Sequence, residues 1–247
     1  MTSVFKKTFK HIYNNWLTDG QQIALLKYTG QQMFTHINYL KQLGYKPSLI
    51  IDVGAYKGKW TGFVKKIFPD ASFLMIEPQQ DKEAILKKVA SSFSNVYYQM
   101  ILTGRENKDD VVFYEMETGS SIYKEQTNVK GTERHYQMKT LDTLMHNYNF
   151  TGSCFLKLDV QGAEIDVLEG AGETLQKTDF ILLEASMLNY NQGAPLVADI
   201  IEWLNKRDFV LFDICDQQRR NNNTTLVQAD LLFTKKNSAI RQKINFG

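Results

Sequence analysis

The sequence is poor in the residue types that announce several familiar protein classes. Cysteine is nearly missing. The two in 247 residues, Cys154 and Cys215, lie far apart in apolar segments, and neither belongs to a CxxC pair. A zinc ribbon or redox dithiol is thereby excluded, and both read as buried, reduced thiols of a cytosolic protein. An excess of either charge is missing as well. With 29 Lys+Arg against 27 Asp+Glu the formal net charge is +2, too even for a dedicated nucleic-acid binder. The lysine pairs at 6–7, 65–66, 87–88 and 235–236 are scattered, as solvated faces scatter them. No uninterrupted apolar run approaches the about 20 residues that span a bilayer. Charges recur every few residues through MTSVFKKTFKHIYNNWL, unlike a secretory leader. A soluble, cytoplasmic chain is expected. G-x-S-x-G, H-E-x-x-H and G-x-x-x-x-G-K-[ST] do not occur, which removes the key parts of serine hydrolases, zinc proteases and P-loop NTPases. Internal repeats are lacking too. The length suits one α/β domain, or one with an appendage, and 43% hydrophobic residues are ample for its core.

What is present is a change of rhythm. Residues 1 to about 45 carry apolar positions at three-to-four spacing, from Phe5, Phe9, Ile12 and Trp16 to Met33, Phe34, Ile37, Leu40 and Leu43. This predicts helices broken near Gly20 and Gly30 and stopped at Gly44, ahead of Pro47. The helical segment, taken as residues 1–46, is either an appendage packed on the main domain or on a second copy of the chain, or, given Lys6, Lys7 and Lys10, an amphipathic surface anchor. The main domain, 47–247, alternates. LIIDV (49–53) reads as a strand buried on both faces, 59–68 as a helix ended by Pro69, SFLMIE (72–77) as a strand, 80–92 as a helix and NVYYQMIL (95–102) as a third strand. That order implies a parallel sheet with right-handed crossovers. Between about 103 and 150 the rhythm breaks. VVFYEME reads as a strand and TGSSIYKEQTNVKGTERH has no period, so an insertion of hairpin and loop is expected, of the sort that carries substrate contacts. Alternation resumes with CFLKLDV (154–160), a helix at 163–175, FILLEAS (180–186), a helix at 196–207 and FVLFDI (209–214). The polar DQQRRNNNTT reads as a turn into a last strand, LVQADLLFTK, in hairpin with the one before.

Two segments carry chemistry. In Asp52-Val53-Gly54-Ala55-Tyr56-Lys57-Gly58 an acid closes a buried strand, and two glycines follow before a helix. Such a turn lets a ligand approach the backbone at the carboxyl edge of a sheet. Tyr56 stands where dinucleotide folds need glycine, and Asp52 repels phosphate but attracts a cation. A nucleoside bearing an ammonium and a sulfonium, S-adenosylmethionine, fits that sense. Glu77 ends the second strand where α/β nucleoside binders place an acid for both ribose hydroxyls, Pro78 stops the strand, and Met100, Ile101, Leu102 and Thr103 are expected beside the adenine. In the second segment, Lys157-Leu158-Asp159-Val160-Gln161-Gly162-Ala163-Glu164, Lys157 and Asp159 share a strand face and Glu164 opens a helix. Glu184 closes the neighbouring strand. Asp159 and Glu184 thus form a candidate carboxylate pair that acts as general base toward a hydroxyl, holds a divalent cation such as Mg2+, or merely accepts hydrogen bonds from loop amides. Of the four histidines only His135, in the insertion, is placed where it could reach a cleft, and surface or core packing is the more ordinary reading for each.

With these residues in view, the chain resembles the FkbM family of S-adenosylmethionine-dependent methyltransferases. The resemblance rests on IIDVGAYKGKWT, MIEPQ, TGSSIY, KTLDTL and above all FLKLDVQGAEIDVLEGA followed by ILLEAS, and covers about 50 to 235. The family usually has Asn at Tyr56 and Glu at Gln161, so contacts at the cofactor's methionine end and one carboxylate of the cleft are altered. The resemblance implies a Rossmann-like sheet of seven strands, the last antiparallel, and methyl transfer to an oxygen, the acceptors being sugar or glycan hydroxyls or secondary metabolites. Asp52, Gly54, Ala55, Tyr56 and Gly58 would surround the methionine moiety and Glu77 the ribose. Asp159 and Glu184 would orient or deprotonate the acceptor, with Lys157 neutralising them or holding an anionic acceptor. A non-catalytic binding protein on the same scaffold and a nicotinamide-dependent oxidoreductase are the competing readings.

Overall fold

The computed structural model describes residues 32–126, 131–148, 151–220 and 224–244. The expected helices before residue 32, with their anchor and dimer readings, lie outside the described residues. Helix α1 (Met33–Gln42) buries Phe34, Ile37 and Leu40. It ends as the sequence predicts: Gly44, at φ +86°, donates to Lys41 O and Tyr45 donates to Leu40 O, the paired bonds of a glycine-terminated helix.

Seven strands form the main sheet: β1 (Leu49–Val53), β2 (Ser72–Ile76), β3 (Val96–Gln99), β7 (Cys154–Leu158), β8 (Thr178–Ser186), β9 (Phe209–Arg220) and β10 (Thr225–Lys235), in the order β3-β2-β1-β7-β8-β10-β9. The first five run parallel, while β10 is antiparallel to both its neighbours. The continuous apolar runs of β1 and β7 are explained by burial on both faces. Leu49, Ile51 and Val53 face one core with helices α5 (Glu164–Glu169), α6 (Gly172–Lys177) and α7 (Val197–Asn205). Ile50 faces the other, with α1, α2 (Lys59–Ile67) and α3 (Glu83–Ser91). Period two then places Asp52 and Lys157 on this second face, and the parallel register sets them side by side.

The insertion is a separate three-stranded sheet, ordered β4-β6-β5, of β4 (Leu102–Thr103), β5 (Lys108–Glu115) and β6 (Thr132–Lys139), followed by the short helix α4 (Leu141–Met145). Four expectations need correcting. The strand foreseen at 95–102 ends at Gln99, and Leu102 starts the second sheet. The aperiodic TGSSIYKEQTNVKGTERH runs into β6, whose mostly exposed residues show no apolar alternation. The helix foreseen at 163–175 is broken in two at Gly170, where an added Cβ would lie 2.2 Å from Gly104 O. Finally, Asp216–Arg220 belong to β9, paired with β10; from Gln217 onward the strand is exposed, so polarity there does not signal a turn.

The insertion is tied down over the carboxyl end of the sheet. Buried Asp166 of α5 accepts from Tyr123 Oη at 2.8 Å and pairs with Arg105 at 2.6 Å. Further along, Gln126 N donates to Tyr190 O and Gln192 N to Lys124 O.

Candidate active site

Two clefts open side by side at that carboxyl edge. The first is a half-open cleft of about 170 Å³. Gly54, Tyr56, Glu77, Pro78, Ile101, Leu102 and Asp159 of the sequence-derived set line it. Asp52, Ala55 and Gly58 do not. Asp52 is fully buried, accepting from Thr61 Oγ1 at 2.7 Å and paired with Lys157 Nζ at 2.9 Å, so it supports the turn from beneath. Gly58 opens α2 at φ +65° against Met75, Leu86 and Val89.

Glu77 is 5% exposed, and its carboxylate organises the turn before any ligand arrives: Tyr56 N donates to Oε2 at 2.8 Å and Gln79 N to Oε1 at 3.0 Å. Burial pushes its pKa up, opposed by those two amides and by Lys157. Each oxygen keeps a further lone pair for a ligand hydroxyl. Ile101, Leu102, Phe113 and Ile122 supply an apolar wall. Gly54 stands at the tightest point. Its φ is +74°, and a Cβ there would lie 1.9 Å from Asp159 O. Gly54→Ala is therefore expected to cost about 2 kcal/mol by backbone strain and overpacking. Thermal unfolding and titration with S-adenosylhomocysteine check this; a variant with unchanged melting and binding contradicts it.

The second cleft, of about 260 Å³, shares Thr118, Gly119 and Gln161 with the first. Glu184, Ser186, Tyr190, Asn191, Gln218, Arg220 and Gln228 also line it. Asp159 thus faces the first cleft and Glu184 the second, with Gln161 between. Gln161, at φ +54°, donates from Nε2 to Asp159 Oδ1 at 3.0 Å and to Glu184 Oε2 at 2.7 Å, and Asn191 Nδ2 grips its carbonyl at 2.6 Å. The residue that read as a lost carboxylate is the amide bridge of the pair. Gln228 and Gln218 complete a cage of donors around Glu184, at 2.8 and 3.3 Å. Burial, then repulsion from Asp159 and Asp230, raises the Glu184 pKa to about 8; Asp230, opposite it in register, rises to about 7 by burial and by Asp159. Glu164 also rises to about 7 through burial, while accepting from Gly162 N at 3.2 Å as a local cap. Lys157 is the cation beneath this group. Burial acts against its charge, but Asp52 and Asp159 outweigh burial and hold its pKa above the ordinary value.

A bound Mg2+ finds no support. Among the described residues no three metal-ligating side chains converge, and the Gln161 amide, a donor, occupies the place between Asp159 and Glu184 that a cation would take. His135 does not reach either cleft; it is exposed on β6, 2.6 Å from Asp110. The insertion was expected to carry substrate contacts, and it does supply walls, Phe113 and Glu117–Ser120; what the sequence did not single out is which of its residues do so, nor Ser186, Tyr190, Asn191, Gln218, Arg220 and Gln228 of the second cleft. Gln79, within MIEPQ, and Thr118–Ser120, within TGSSIY, lie in segments that the resemblance marked.

A seven-stranded sheet with this order and a glycine turn, acid and second acid at successive strand ends define a class I methyltransferase. A candidate rRNA methylase from Clostridium thermocellum superposes with a TM-score of 0.50 at 9% identity, covering 83% of this chain and 96% of its own. An rRNA methylase from Streptococcus thermophilus gives 0.48 at 11% identity, covering 83% and 96%. Precorrin-6y C5,15-methyltransferase from Geobacter metallireducens GS-15 gives 0.46 at 9%, covering 83% and 88%. No curated protein matches the chain. Residues 52–211 match the methyltransferase FkbM domain, and the chain belongs to that family. It is a methyltransferase whose methyl donor is S-adenosylmethionine. The first cleft fits that donor by its chemistry: a carboxylate for the ribose at Glu77, an apolar wall for the base and an acid, Asp159, for the cationic end.

Proposed function

We propose that the protein transfers a methyl group from S-adenosylmethionine to a hydroxyl of a sugar, glycan or similarly polyhydroxylated metabolite seated in the second cleft. The observation that carries this reading is the lining of that cleft. Its amides and hydroxyls (Gln161, Gln218, Gln228, Asn191, Ser186) suit a ligand rich in hydroxyls, and it meets the donor cleft at Gln161. When bound, S-adenosylmethionine supplies an electrophilic methyl group on a sulfonium. Glu77 holds the ribose, and Asp159 faces the cationic end. Glu184, on the acceptor side, accepts the hydroxyl proton when ionised; its raised pKa makes it a stronger base than an ordinary carboxylate and moves the ionised, active form toward alkaline pH. The Gln161 bridge fixes the spacing of the two carboxylates, which serves the alignment that an in-line displacement needs.

The test begins with calorimetric titration of S-adenosylmethionine, S-adenosylhomocysteine and NADH. Micromolar binding of the adenosyl ligands is expected, weakened roughly 10- to 100-fold in Glu77→Ala by loss of charge-assisted hydrogen bonds. A glycan and metabolite panel with labelled methyl donor then seeks the acceptor. Silence from both adenosyl ligands, or tighter binding of NADH, overturns the cofactor assignment. Binding without transfer to any member of a broad panel favours the non-catalytic alternative.

A further inference from the structure

Loop 116–120 forms the wall common to both clefts through Thr118 and Gly119. Its base is pinned by Gln79, whose Nε2 donates to Met116 O at 3.0 Å and to Ser120 Oγ. Its tip is held differently. The Glu117 carboxylate receives Lys57 Nζ at 2.6 Å, Lys82 Nζ at 3.3 Å and the Tyr56 hydroxyl. Lys57 Nζ also donates to Tyr56 Oη at 2.7 Å, and the two ammonium groups lie 4.5 and 5.1 Å from the Tyr56 ring centroid. One carboxylate from the insertion thus closes on two cations and a phenol from the segments that build the donor cleft. Tyr56 is thus one jaw of a clamp.

We infer that Tyr56, Lys57, Lys82 and Glu117 form a latch that fastens loop 116–120 over the donor cleft and sets how long the adenosyl ligand stays. Glu117 and Tyr56 are positioning residues here, acting through the loop. The inference rests on the reading of the first cleft as the S-adenosylmethionine site. The Lys57 and Tyr56 hydrogen bonds, then that of Lys82, hold the Glu117 carboxyl at a pKa of about 2, so the latch stays charged across the working pH range. With Glu117 two-thirds exposed, the latch is open to screening by salt.

The experiment has two arms, on the full-length wild type, Glu117→Gln and Tyr56→Phe. In the first, hydrogen exchange is followed without ligand. Amides of residues 116–121 are expected to exchange roughly three- to tenfold faster in Glu117→Gln, and in wild type at high salt, with melting temperature unchanged. In the second, S-adenosylhomocysteine dissociation is measured by rapid displacement. Release is expected to quicken by a similar roughly threefold to tenfold factor in both variants, raising KM for the donor. Unchanged exchange in the first arm overturns the latch, as does faster exchange with unchanged release. Failure of wild type to bind the adenosyl ligand at all overturns the donor-site reading instead, and the first arm tells the two apart.

Discussion

Lys157→Met is expected to destabilise the fold by about 3–5 kcal/mol, as breaking a buried ion pair from one side does. At about 2–4 °C per kcal/mol for a chain of this size, the melting temperature falls by roughly 10 °C. The reason lies in the register. β1 and β7 set Asp52 and Lys157 side by side on a buried face, at 0% and 6% exposure, and the ammonium is the counter-charge of Asp52 at 2.9 Å and of Asp159 at 3.5 Å. Methionine fills the volume but leaves Asp52 with the Thr61 hydroxyl as its remaining donor. It also removes the Lys157 Nζ bond to Gly54 O, at 3.2 Å, that steadies the glycine turn. The double variant Asp52→Asn/Lys157→Met removes both charges and is expected to regain much of the loss, giving a coupling well above the about 0.5 kcal/mol of independent sites. Chemical denaturation of the four proteins of the cycle decides it. A single-variant loss under about 1 kcal/mol would mean that the pair does not hold the strands' carboxyl ends together.

This pairing also revises the part that Asp52 and Lys157 play. Read along the chain, an acid before a glycine turn points toward a cationic ligand, and a lysine beside an acid suggests an anionic acceptor. Across the sheet the two neutralise each other. Strand periodicity was sufficient to place both on one face, but only the strand order makes β1 and β7 neighbours. The same limit governs the rest. Gly54, Glu77 and Asp159 could be read because each follows a short apolar strand whose end is marked in the sequence itself. β6 could not, because its side chains are mostly exposed and carry no alternation. Glu117 meets Tyr56 across a separation of 61 residues, in a loop without period, and no local pattern encodes such a contact. Gln161 was visible as a departure from the family, yet its meaning as a bridge depends on Glu184, 23 residues on.

Glu184→Gln is expected to trade activity for stability, with opposite signs in two measurements on one variant. If Glu184 removes the hydroxyl proton, its loss lowers kcat by roughly 10²- to 10⁴-fold, the usual share of a positioned base. In the wild type, kcat/KM should rise with pH toward a plateau set by an apparent pKa near 8, and the variant's residual rate should lack that limb. Stability moves the other way. A carboxyl with an ordinary pKa of 4.5 and a folded value of about 8 takes up a proton on folding between those limits. The folded state therefore binds more protons than the unfolded, and stability falls as pH rises from 4.5 through 8. Glutamine mimics the protonated acid and ends the repulsion from Asp159 and Asp230. The Gln161, Gln218 and Gln228 amides can re-pair with it by rotation. The variant should melt a few degrees above wild type at pH 8.5, at roughly 2–4 °C per kcal/mol, and together with it at pH 4.5. An unaltered rate would move the base to Asp159, and a variant that melts lower at pH 8.5 would show that the glutamine cage holds Glu184 ionised against its burial. A base that strains the fold while an amide would relieve it is the pattern of a site shaped for chemistry.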